Sequence, residues 1–82
     1  MSMPLSMEWC IITQGNEQRI ESKENTFTLT LKGYQLFPLD EFLDIKRTAQ
    51  AEQIGTAKIT EITWTNQATT LTYELVSLYS VN

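Results

Sequence analysis

A chain of 82 residues is enough for one small domain with a core that closes on modest stability, and this excludes a multidomain architecture. A hydrophobic fraction of 41%, with three phenylalanines, three tyrosines and two tryptophans, excludes a disordered chain. The formal charge of −4 sets the molecule as a whole against electrostatic capture by nucleic acid or anionic lipid, and the absence of histidine removes the usual general base near neutrality and the commonest metal ligand.

At the start, "MSMPLSMEW" has neither the basic lead nor the apolar run of a signal peptide, and no later stretch reaches bilayer-spanning length, so the expected location is the cytoplasm. The single cysteine, Cys10, lies in the apolar run "WCII" and fits a reducing compartment as a small buried hydrophobe. Strand signals then recur at short spacing, each bounded by turn residues. Glu8–Thr13 is the first predicted strand. Gly15-Asn16 supplies a hairpin turn, and the polar Glu17–Ser22 returns as an edge strand with Ile20 inward.

"TFTLTLK" alternates strictly, with Phe27, Leu29 and Leu31 on one face and Thr26, Thr28, Thr30 and Lys32 on the other. Gly33 permits a bend, and Pro38 ends ladder pairing. "LDEFLDIKR" reads as a strand from Phe42 to Thr48, with at most one short helical turn near Asp40. In "TAKITEITW" the apolar phase slips by one residue between Ile59 and Ile62. In "TLTYELVSLY" it slips again between Leu75 and Leu78. Each slip is the signature of a β-bulge.

A turn over Asn66–Thr69 would set Trp64 against Leu71 and Ile62 against Tyr73, with the two slips at one height and Ile45 against Ile59. That register predicts an all-β fold: one domain over 1–82, a small, strongly bent antiparallel sheet closing into a barrel of about five or six strands. Trp64, Ile62, Ile59, Tyr73 and Leu75 would share its core face. Outside, Lys46 would lie across from Lys58 and Glu61 near Glu74, with Asp44 diagonal to both groups.

Candidate chemistry is sparse. Lys46, Arg47 and Lys58, with Lys32, form the expected ligand- or partner-binding residues, a cationic spot for a phosphate or carboxylate centred on the barrel end that carries Arg47 and the loop Thr48–Gly55. Edge strand Glu17–Ser22 offers pairing to a protein partner or to its own copy in a homodimer. Binding of RNA or single-stranded DNA is the first alternative, since small barrels stack bases on rings, but Tyr34, Phe37, Tyr73 and Tyr79 sit in apolar patterns of an acidic chain. An enzyme built on the carboxylates of Asp40, Glu41 and Asp44 is the second. No glycine-rich phosphate loop, Cys–His pair, serine elbow or calcium-loop spacing is present, so no catalytic residue, metal or cofactor is expected.

The segments "GYQLFPLD", "GTAKI" and "TTLTYELVSLYS", with "MPL" at Met3–Leu5 and "QGNEQRIE" at Gln14–Glu21, resemble an uncharacterised family of short single-domain proteins, a domain of unknown function, from Bacillus-like Gram-positive bacteria. The resemblance covers most of the chain and implies a bacterial cytoplasmic protein. It supplies no catalytic residues.

Overall fold

The computed structural model describes residues 6–78. They form one all-β unit with a mixed six-stranded sheet: β1 (Cys10–Ile12), β2 (Gln18–Arg19), β3 (Thr26–Lys32), β4 (Phe42–Lys46), β5 (Gly55–Thr65) and β6 (Ala68–Leu78). The spatial order is β1-β4-β5-β6-β3-β2. Every neighbouring pair is antiparallel except β1 and β4, which are parallel.

The alternating segment behaves as its pattern dictates. β3 covers Thr26–Lys32 and pairs with β6 along its whole length, burying Leu29 and half-burying Phe27 and Leu31. Leu29 joins Ile11, Phe37, Leu43, Ile45, Ala57, Ile59, Leu71 and Tyr73 in one continuous core.

β1 and β2 lie at opposite edges of the sheet although only residues 13–17 separate them. Flat, six strands would hold their edges about 24 Å apart. The connection includes a tight turn, with Asn16 N donating to Thr13 O and both Gln14 and Gly15 at positive φ, so it spans much less than its extended length. The sheet is therefore rolled until its edges approach. It is not closed: no pairing joins β1 to β2 or β3 among the described residues, and the expected barrel is corrected to an open roll. With three residues in β1 and two in β2, neither edge runs far enough to complete a ladder. The anticipated hairpin between the first two strands is absent for the same reason, since the turn sends the chain from one edge to the other.

Both bulges exist. Thr60 is the extra residue of β5 between the Ile59–Tyr73 and Glu61–Thr72 pairs, and Val76 is the extra residue of β6 between Ala57–Leu75 and Thr56–Ser77. They do not share one height. Asn66 and Gln67 both adopt left-handed φ, making a two-residue turn that sets Trp64 against Thr69 and Ile62 against Leu71, two positions from the expected register. Trp64 is consequently half exposed instead of core.

The β4–β5 register differs more. Ile45 pairs with Gly55, not Ile59, so Lys58 faces Phe42 on one side and Glu74 on the other, and Glu61 faces Thr72. Gly55 fits because a Cβ there would collide with the Ser77 carbonyl oxygen and crowd Leu78. The predicted strand Phe42–Thr48 ends at Lys46. No helical turn forms near Asp40, which takes a left-handed φ of 60° and donates its N–H to Ile59 O at 3.0 Å, beside the Thr60 bulge.

Candidate functional site

Rolling the sheet creates three distinct regions: a closed end, an open end, and a seam where the edges face each other. At the closed end, polar groups satisfy one another. Gln35 N donates to Thr69 Oγ1 (2.8 Å), which donates to Gly33 O (2.7 Å), while Trp64 Nε1 donates to Gln35 O (2.9 Å) and Gln67 N to Tyr34 Oη (3.0 Å). The Tyr34 and Trp64 rings lie 6.1 Å apart as a lid.

The seam is a slot of about 390 Å³ bounded by Cys10 and Ile12 of β1 and by Leu31 and Lys32 of β3. Its chemistry follows from strand parity. Thr13 N donates to Lys46 O, so Ile11 and Thr13 turn their main-chain groups toward β4, and those of Cys10 and Ile12 face the slot. On the other wall Leu75 N donates to Asn25 O, so odd-numbered residues of β3 bond to β6 and even-numbered ones face away. β2 covers Thr28 and stops, leaving the main-chain groups of Thr30 and Lys32 beyond its end. Glu8 N donating to Leu36 O at 2.7 Å marks one end of the slot. Burial pushes the Cys10 thiol up, with Lys46 opposing and Asp44 and Glu8 adding to the rise, so the sulfur stays protonated and poorly nucleophilic near neutrality.

The open end holds a smaller cavity of about 180 Å³ between Phe27, Ile45, Ile54, Tyr73 and Leu75, with Glu17 and Arg47 among its lining residues. Phe27 stacks on Tyr73 at 5.6 Å. One carboxylate oxygen of Glu17, Oε2, is buried without a hydrogen-bond partner. Burial, and secondly the charge of Glu17, push the Tyr73 phenol up to about 12.

Of the four expected cationic residues, Arg47 and Lys32 line different cavities, Arg47 the open end and Lys32 the seam. Lys46 is half-buried at the end of β4, and the Lys58 ammonium sits 4.7 Å above the Phe42 ring. Asp40, Glu41 and Asp44 are exposed, and among the described residues no three acidic or cysteine side chains gather in a metal-holding group. Of the rings, Tyr73 and Phe37 are buried and Tyr34 is exposed at the closed end, while Tyr79 lies outside the described residues. Glu17 had no sequence signal, since an acidic residue after "QGN" reads as solvated edge until the roll brings it to the cavity that Tyr73 also lines. No described helix is long and apolar enough to cross a membrane.

An open rolled sheet with a cavity at one end and an unpaired seam defines the structural class. The chain belongs to the family described as a domain of unknown function, DUF2584, whose model matches residues 1–82. It is 40% identical to the uncharacterized protein YtmB of Bacillus subtilis (strain 168) over 82 residues, covering all of both chains. The X-ray structure of YtmB superimposes with a TM-score of 0.87 at 40% identity, over 100% of this chain and 99% of that one.

Proposed function

We propose that this protein is a cytoplasmic, non-catalytic binding module that takes an extended segment of a partner protein into its seam by β-strand addition. The observation that carries this reading is the pair of facing walls, where Cys10 and Ile12 on one side and Lys32 on the other line one slot, with Thr30 on the same open edge of β3 beyond the end of β2. Main-chain groups at strand spacing on open sheet edges are the complement of a third strand, which would displace the Gln35 Nε2 donation to Lys32 O at 3.4 Å. The slot also carries opposite charges, Glu8 and Lys32, and the amides of Gln14 and Gln35, which suit a polar peptide better than an apolar one. A second copy is a poor occupant, because the edges it could offer are only three and two residues long.

The test begins with a photo-crosslinking residue at Lys32 in the native host, followed by synthesis of the captured segment as a peptide. The expected result is that the peptide slows amide hydrogen exchange at Cys10, Ile12, Thr30 and Lys32, which exchange rapidly in the free protein. Protection of those amides in dilute free protein, protection that grows with protein concentration alone, or a bound peptide that leaves them unprotected each overturns the reading.

A further inference from the structure

We propose that the open end is a separate binding site for a small primary amine with an apolar body about the size of a benzene ring. The cavity of about 180 Å³ is walled by Phe27, Ile45, Ile54, Tyr73 and Leu75, and an apolar cavity near 150 Å³ is large enough to hold benzene. Volume and walls set the body of the ligand. Its polar end is set by Glu17, whose Oε2 is buried with no hydrogen-bond partner.

A buried acceptor with nothing to accept costs free energy, and more so when it is charged. An ammonium group answers both deficits, because it donates an N–H and brings the opposite charge. A neutral hydroxyl answers only the first, and a carboxylate worsens the second. Glu17 and Tyr73 line the same cavity, and the Glu17 charge adds to the rise of the Tyr73 phenol that burial causes. Arg47 also lines the cavity but is an exposed residue, so its guanidinium can remain in water while the half-buried Glu17, with Oε2 out of solvent, selects what enters.

This site is independent of the seam. The seam slot is bounded by Cys10, Ile12, Leu31 and Lys32, none of which lines the open-end cavity.

The experiment compares benzylamine, benzyl alcohol, toluene and benzoate on the full chain at neutral pH, following NMR signals of Phe27, Tyr73 and Leu75, and repeats the series with Glu17→Gln. Benzylamine should shift these signals saturably and bind tightest, benzoate should not bind, and Glu17→Gln should weaken benzylamine by about tenfold or more, the scale of one lost charge-assisted hydrogen bond. Toluene or benzoate binding as tightly as benzylamine overturns the proposal. So does full benzylamine affinity in Glu17→Gln, or no saturable shift from any of the four, which would leave water as the partner of Glu17. Should Glu17→Gln fail to fold, the ligand series on the unmodified protein decides by itself.

Discussion

The two ends of the roll solve one problem differently. At the closed end, rolling buries main-chain groups of Gly33 and Gln35, and the Thr69 hydroxyl serves both by donating to one and accepting from the other. At the open end, rolling buries a carboxylate oxygen and leaves it without a partner. A satisfied network fixes one packing, whereas an unsatisfied group is a standing cost that a ligand can remove. Within a single fold, polar satisfaction therefore marks where structure is finished and where something else is expected to bind.

Three measurements break or sharpen this contrast. The largest effect is expected from Thr69→Val, which keeps the shape but strands the Gln35 N–H and the Gly33 carbonyl. A loss of roughly 2 to 4 kcal/mol in urea unfolding is expected, and a loss near zero would mean that the closed end is not held by this relay. Next is the alkaline behaviour of Tyr73. Its folded pKa of about 12 lies above the ordinary 10, so the unfolded chain loses the proton first. The resulting stability is fully present below pH 10 and is lost as pH rises toward 12. Tyr73→Phe should flatten that part of the stability profile, and an unchanged alkaline slope would show that the phenol is not shielded. The smallest effect belongs to Trp64→Phe. It removes the indole N–H donated to Gln35 O at the rim but keeps an aromatic lid, so the expected loss is below about 1 kcal/mol. A larger loss would make the lid a principal support of the closed end.

Individual residues show what was legible beforehand. Phe27, Leu29 and Leu31 announced β3 because two-residue alternation is a local property. The phase slips between Ile59 and Ile62 and between Leu75 and Leu78 marked real bulges, since an extra residue changes which side chains face inward. Register was another matter. Gln67 at a φ of 62° has no compositional signature of a left-handed turn residue, yet it moves Trp64 by two positions and out of the core. Gly55 pairs with Ile45 while the Ser77 carbonyl on the neighbouring strand lies where a side chain at position 55 would stand, a contact that no local pattern reveals. The candidate site was less legible still. Arg47, expected at a barrel end, is found lining the end cavity, but Glu17 and Tyr73 come to line that same cavity only because the chain crosses from one sheet edge to the other.

The amino-acid sequence by itself determined that this is a small all-β domain, where its longest strands run, where they kink, and that it carries no histidine. These follow from composition and from short-range periodicity. Only the tertiary structure decided that the sheet stays open, that β1 lies parallel to β4, and that a seam and an end cavity result. Strand order, register and closure are set by contacts between residues far apart in the chain, and no local pattern encodes the partner that a strand edge or a buried carboxylate will meet.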